Sequence, residues 1–410
     1  MGDMGNTHEL GLECSHRHEG GERVAFSWGN PLNWLRSYRH LTAYIWDNTD
    51  KKRKEWVRAQ RDRHGDDFVL DRTDLERFSF LLLADTGEGD QSQLVLVDKL
   101  LKEGKSTEFA IIGSDVVYPA GRSHHYLAKF YMPYRNYPKD IYAIPGNHDW
   151  YDVLTGFMIH FCDNQFHRRK RNKRTVDESK LSDMRAIRRN ETYQPNMYFC
   201  LDTVSLRIVC VDTGIRAHID DDQMAWLRRV SATDKRKILI TGNPIYANGR
   251  YEKRLAELDE IVRNYGYLAV IGGDTHNYQQ YRVTQTAAGS KRDVWYFVNG
   301  GGGAFLSRTD HIPEPSAMKV PGDARVNDFD LYPDREASRE FFDSGSMSFL
   351  PDSIKWRTPA ALLNKDRPPY YKSFMKVVVR KTFIEFQVFR VENFGQPWLD
   401  AGPWKRIRIV

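Results

Sequence analysis

Cysteine is scarce in this chain: four residues in 410, at Cys14, Cys162, Cys200 and Cys210. So few and so scattered, they exclude a disulfide framework, and free thiols in a reducing compartment are the simpler reading. Cys200 and Cys210 share an expected hairpin, FCLDTVSLRIVC, whose turn near Thr203–Val204 would set Cys200 opposite Arg207 rather than Cys210. Long apolar runs are also missing. No stretch approaches the ~18 consecutive apolar residues of a membrane span, and the polar, Gly-rich N-terminus lacks the apolar segment of a signal peptide or anchor. The expected location is cytoplasmic. An excess of one charge is lacking too: 61 Lys+Arg against 55 Asp+Glu leaves +6, too little at this length to mark a nucleic-acid binder. The rest of the composition, 40% hydrophobic and 28% charged, is ordinary for a globular protein long enough to bury a large core.

Along the chain, residues 1–30 read as a flexible tail in which CSHRH (14–18) is incidental. PLNWLRSYRHLTAYIWDN (31–48) carries Trp34, Leu35, Tyr38, Leu41, Ile45 and Trp46 at near-helical spacing, the pattern of a helix packed on a core. Its Arg36, Arg39 and His40 leave peripheral membrane contact open as a second use. KKRKEWVRAQRDRHGDD (51–67) reads as a solvated helix stopped by Gly65. Residues 1–75 are therefore set apart as an N-terminal extension, with the main domain at 76–410.

From residue 78 short apolar runs alternate with amphipathic stretches. The runs are FSFLLLA (78–84), EFAII (108–112), IYAI (141–144), LRIVCV (206–211), KILIT (237–241) and YLAVI (267–271). This alternation predicts α/β architecture with sites at the C-terminal ends of strands. VWYFV (294–298), FMKVVVR (374–380) and FIEFQVFR (383–390) add strands without intervening helices, the last two as a hairpin turning at Lys381–Thr382. Two packed sheets accommodate both styles. Two segments interrupt them and read as insertions or lids: a basic one at about 163–193 and a long Pro-rich one at 307–372.

The strand ends form a set. FLLLA leads to Asp85, FAIIG to Asp115 and Tyr118, IYAIPG to Asn147, His148 and Asp149, ILIT to Asn243, and LAVIGG to Asp274 and His276. One such ending is commonplace; five together predict a metal site. Carboxylates, an amide oxygen, a phenolate and imidazoles suit iron, manganese, zinc or magnesium better than soft metals. Asp115 can bridge two cations about 3.5–4 Å apart, an arrangement that clamps phosphoryl oxygens and produces a hydroxide nucleophile at neutral pH. VDTG (211–214) has a similar look but reads as structural.

The ordered set D-x-G, D-x-x-Y, G-N-H-D and a late H-N-Y resembles the calcineurin-like metallophosphoesterases, particularly their purple-acid-phosphatase-like branch, over roughly residues 78–300. The resemblance implies a four-layer α/β/β/α sandwich of two packed mixed sheets, with a two-metal site between the sheet edges. Carried over by position, it implies a first metal on Asp85, Asp115, Tyr118 and His276. It implies a second on Asp115 and Asn147, with His148 contacting the scissile phosphate and protonating the leaving oxygen, and Asp149 orienting His148. The chain departs from the family where Asp274 stands for the first His of G-H-x-H, and where Asn243 stands beside a missing His before Pro244. The second set is then all oxygen, Asp115, Asn147, Asp274 and Asn243, which favours manganese or magnesium.

The implied activity is hydrolysis of a phosphomonoester or phosphodiester. HRRKRNKR (167–174), with Arg168, Arg169, Lys170 and Arg171 at its centre, would draw polyanionic substrates if it folded over the metals. The alternatives are a catalytically weak protein that binds a phosphoryl ligand, and a polyanion binder that uses the basic insertion. An obligate nucleic-acid partner is not expected, since that insertion lacks aromatics for base stacking apart from Phe166.

Overall fold

The computed structural model describes residues 49–163, 178–187, 193–287, 289–344 and 368–410. The basic residues 168–171, the aromatic stretch 31–48 and CSHRH lie outside them. Two mixed sheets hold most of the apolar runs. In the first, β2 (Phe78–Leu83), β3 (Phe109–Ile112) and β4 (Asp140–Ala143) run parallel. The sheet continues antiparallel through β14 (Lys372–Val379), β15 (Ile384–Val391) and β16 (Lys405–Ile409), in the spatial order β16-β15-β14-β2-β3-β4. The second sheet has eight strands. Its order is β1 (Val69–Arg72), β5 (Phe199–Thr203), β6 (Arg207–Val211), β7 (Lys237–Thr241), β10 (Ala269–Gly272), β12 (Ser290–Asn299), β11 (Tyr278–Ala287) and β13 (Arg325–Tyr332).

Both sheets are covered on two faces, which is why β2, β3 and β7 are buried at every position and read as unbroken apolar runs. Between the sheets, Phe297 of β12 meets Phe386 of β15 at 5.0 Å and Tyr142 of β4 meets Phe199 of β5 at 5.9 Å. Helix α2 (Gln91–Gly104) covers the outer face of the first sheet. Helices α6 (Asp221–Ser231) and α7 (Ala256–Asn264) cover the second, α7 accepting a hydrogen bond from Tyr296 on Asp259. The result is the expected four-layer sandwich.

Four expectations change. Helix α1 (Thr49–His64) is not solvated: Arg53, Trp56, Val57 and Gln60, at helical spacing, form a buried face. With β1 paired to β5 in the larger sheet, residues 49–75 are part of the packed body rather than an extension. The stretch 307–372 likewise contributes β13, which extends the large sheet beside β11, and α8 (Arg335–Asp343). The β5–β6 turn closes one residue later than expected, because Thr203 Oγ1 donates to Leu206 O and accepts from its N–H. Cys200 therefore faces Val209, and Cys210 faces Phe199. The thiols of Cys162, Cys200 and Cys210 remain free and buried.

The buried guanidinium of Arg53 ties α1 to the second sheet. It donates to Asp212 (2.7 Å) and Asp220 (3.3 Å) and lies over the Trp150 ring, while Trp150 Nε1 donates to the same Asp212 (2.9 Å). Asp212 belongs to the VDTG turn, so that strand end is structural. Trp150 closes the short helix α3 (Asn147–Trp150). On α4 (Thr155–Cys162), His160 is buried against Tyr126 (4.0 Å between centroids) and hydrogen-bonded to Ser123 Oγ (2.8 Å) and Tyr131 Oη (3.1 Å). Burial pushes its pKa from 6.5 down to about 3. The flanking α5 (Glu178–Ile187) is held by Arg185, which pairs with Asp163 (3.0 Å), and α9 (Gln396–Asp400) pairs Asp400 with Lys102.

Arg53→Met leaves two buried carboxylates without their counter-charge. It should cost about 3–5 kcal/mol in denaturant unfolding, whereas a loss below ~1 kcal/mol would mark the cluster as no stronger than a surface pair. His160 makes a second expectation. Its folded pKa lies below its unfolded value, so its contribution is complete above pH 6.5 and is lost as pH falls toward about 3. Against His160→Gln, the wild type should lose up to about 1.4 kcal/mol more per pH unit within that window. Parallel pH profiles of the two proteins would remove His160 from the account.

Candidate metal centre

The parallel strands β2, β3 and β4 of one sheet and β7 and β10 of the other end close together, and their following residues interlock. Asp85 N–H donates to Ser114 O (3.0 Å) and Thr86 N–H to Asp115 O (3.1 Å). Across the sheets, Asp274 N–H donates to Asp85 Oδ1 (3.1 Å). Asp85, Asp115 and Asp274 all have left-handed backbone, with φ of 57°, 34° and 64°. That conformation costs roughly 1–2 kcal/mol for a residue with a Cβ, and here it turns each carboxylate off its strand into one recess. Two glycines leave the room. A Cβ on Gly146 would lie 2.1 Å from Asp115 Oδ1, and one on Gly300 would lie 2.5 Å from Asp85 Oδ2.

In the recess, ligand atoms of Asp85, Asp115 and His276 lie within 4.8 Å of one another, all three residues buried. Tyr118 Oη joins them, 3.0 Å from Asp115 Oδ2 and 3.1 Å from His276 Nε2. His276 Nδ1 donates to Phe305 O (2.9 Å), so its Nε2 keeps a lone pair. Burial and the Lys372 charge push its pKa down to about 3, which keeps the ring neutral and ligand-competent. Burial, and then the Asp274 charge, hold Asp85 well above the usual carboxylate range, and burial with Asp85 and Asp149 does the same to Asp115. Burial and Asp115 likewise raise the Tyr118 hydroxyl.

This donor set fits a cation. Asp85 Oδ2 is buried with no hydrogen-bond partner among the described residues, and acids this close remain ionised only with positive charge among them. The Asn147 amide makes the same point. One end lies 2.6 Å from Tyr151 Oη, and the other lies 3.1 Å from Asp115 Oδ2 and 3.2 Å from Asp274 Oδ1. With its nitrogen inward, it donates to both carboxylates. With its oxygen inward, three oxygens converge, and only a cation makes that arrangement favourable.

Two supporting roles differ from expectation. Asp149 does not hold His148. Its Oδ2 accepts from Val116 N–H (2.9 Å) and Gly146 N–H (3.1 Å), which braces the loop carrying Asp115 and Tyr118. The next residue on a helix points about 100° away from its neighbour, so Asp149 turns inward while His148 reaches the recess. Pro119 O takes the orienting role, 2.9 Å from His148 Nδ1. Asn243 turns its amide oxygen to Thr213 Oγ1 (3.0 Å) and hydrogen-bonds Asp274. It supports a carboxylate where an oxygen donor was expected. Sequence reasoning missed Tyr151, Thr213 and the carbonyls of Pro119 and Phe305, the last two because a backbone acceptor leaves no trace in residue type.

Among solved structures, the chain is similar to a purple acid phosphatase, PPD1, from yellow lupin (Lupinus luteus) seeds, with TM-score 0.48 and 10% identity over 81% of this chain and 53% of that one. The chain thus spans about half of the lupin protein. It is also similar to GAP50, the anchor in the inner membrane complex of Plasmodium (TM-score 0.45, 10% identity, 78% and 90% covered). A third likeness is to TT1561 of Thermus thermophilus (TM-score 0.31, 13% identity, 53% and 88% covered). No curated protein matches by sequence. Residues 78–278, which contain every strand end that meets at the recess, match the calcineurin-like phosphoesterase family.

Proposed function

We propose that the chain is a metal-dependent phosphoesterase acting on a phosphomonoester or phosphodiester. The observation that carries this reading is the convergence of Asp85, Asp115 and His276 within 4.8 Å, beside Tyr118 and with Asn147 and Asp274 adjoining. Asp85, Asp115, Tyr118 and His276 would hold one ion, with mixed donors that suit iron or zinc. Asp115, Asn147 and Asp274 would hold a second, and an all-oxygen set favours manganese or magnesium. Bound there, such ions would neutralise phosphoryl oxygens and lower the pKa of water.

The chain's own residues supply position and proton. Asp115 stands between the two sets, its Oδ1 accepting from His148 N–H (2.8 Å) while Oδ2 faces Tyr118 and Asn147. His148 Nδ1–H donates to Pro119 O, which leaves Nε2 as the proton-exchanging nitrogen, suited to protonating a leaving oxygen. The Tyr118 and Tyr151 rings, 4.4 and 4.9 Å from it between centroids, limit its rotation. The basic stretch 168–171 remains part of the proposal as an attractor of polyanionic substrates.

With Asn243 engaged by Thr213, the second set has three oxygen donors, which favours weak occupancy and keeps open a protein that binds a phosphoryl ligand without turning it over. Elemental analysis after incubation with manganese separates the readings. The wild type should hold two ions per chain, Asp274→Ala should lose the weaker and Asp85→Ala the tighter; a wild type that holds none overturns the proposal. His148→Ala should slow hydrolysis of an aryl phosphate about a hundred- to ten-thousand-fold with metal content retained. Unchanged turnover in that variant would remove His148 from the chemistry.

A further inference from the structure

Asp274 and Asn243 also border a cavity of about 480 Å³ whose walls include Asn248, Arg250, Tyr251, Arg254 and His311. That volume accommodates an organic group of drug-like size. Its charges are unevenly committed. Glu252 takes the Arg254 side chain on both oxygens (2.9 and 2.8 Å), and Asp274 faces the proposed metal recess. Burial and the Arg308 and Arg250 charges hold His311 below its ordinary pKa, so it adds no positive charge. Arg250 is exposed and, among the described residues, pairs with no carboxylate.

The hairpin that presents Arg250 is rigidly held. It is formed by β8 (Tyr246–Ala247) and β9 (Arg250–Tyr251) around a left-handed Asn248–Gly249 turn. Asn248 exchanges hydrogen bonds with the Gln279 amide (2.7 and 3.1 Å), and Gly249 N–H donates to Tyr281 Oη (3.1 Å). On its other side, Lys319 N–H donates to Gly249 O (3.1 Å), and Lys319 O accepts from Tyr251 N–H (3.2 Å). Gln279 and Tyr281 lie on β11, the strand that begins two residues after His276. One strand thus fixes both the metal recess and the arginine beyond it.

We propose that this cavity is a second subsite of the phosphoesterase described above, an inference that rests on that reading. The substrate carries, past its scissile phosphate, an organic body ending in a further anionic group, phosphate or carboxylate, which Arg250 holds. Tyr251, Pro244 and Ala247 face the organic body, and Arg250 supplies a charge-assisted hydrogen bond to its far end.

Calorimetry on the full manganese-loaded chain tests this with non-hydrolysable probes. They are pentylphosphonate, the pentane with a phosphonate at each end, and phosphonohexanoate, whose far group is a carboxylate. At least one doubly anionic probe should bind about tenfold tighter than pentylphosphonate, beyond the statistical factor for two identical ends. That ratio should fall toward one in Arg250→Ala and recover partly in Arg250→Lys. Whichever probe gains the advantage names the far group. Equal affinity for all three in the wild type, or a preference that survives Arg250→Ala, overturns the subsite. Hydrolysis of the matching phosphate esters is scored separately. Preference without hydrolysis sinks the phosphoesterase reading and leaves the subsite standing, and hydrolysis without preference does the reverse.

Discussion

Mutual repulsion among carboxylates is the constraint around which this molecule is arranged. Asp85, Asp115 and Asp274 are brought to one recess from two different sheets, with Asp149 just behind them, in surroundings where like charges repel far more strongly than in water. The backbone answers with directed N–H groups: His148 N–H on Asp115, Asp274 N–H on Asp85, and Val116 and Gly146 N–H on Asp149. Left-handed turns at three of the four aspartates aim the side chains, and Gly146 and Gly300 leave the space they occupy. None of these features is explained by packing alone. Together they describe a cradle shaped for positive charge.

A second electrostatic cluster keeps that cradle in place. Asp212, at the end of β6, accepts from both Arg53 and Trp150, and Trp150 is the last residue of the helix that carries Asn147 and His148. Helix α1 therefore reaches the site through one shared carboxylate. The Arg53 guanidinium is fully buried, and burial opposes its charge, yet Asp212, Asp220 and Asp50 together hold its pKa above the ordinary arginine value. Isolated buried ion pairs are weak stabilisers; here the pair specifies where the segment carrying Asn147 and His148 sits.

Much of this was legible beforehand. FSFLLL, FAII and KILIT are strands because both sheet faces are covered, and an unbroken apolar run is the direct mark of that. The convergence of Asp85, Asp115 and His276 follows from the parallel topology, since parallel strands in packed sheets deliver their C-terminal ends to one side. Less was visible where polar residues do apolar work. The buried face of α1 includes Arg53 and Gln60, so no hydrophobic period marks it. β11 (YQQYRVTQTA) and β13 (RVNDFDLY) carry glutamines and acids that are satisfied across the sheet, Gln280 by Asp328 for one, so β11 draws no strand assignment and β13 falls within the stretch 307–372 that reads as an insertion or lid. The role of Asp149 depended on which way one turn of helix faces, and the Arg250 cavity on a pairing between residues 249 and 319 that no local pattern announces.

The division of the recess between two sheets has a consequence for how the protein comes to exist. Asp85, Asp115 and Asn147 follow strands of the smaller sheet, and Asp274 and His276 follow a strand of the larger one. Neither sheet alone completes the cradle. The recess is therefore a product of tertiary assembly, formed only once Phe297 and Phe386 have met across the interface. Any ligand that needs both halves recognises only the docked pair of sheets, so its capture is a direct reporter that the two have come together.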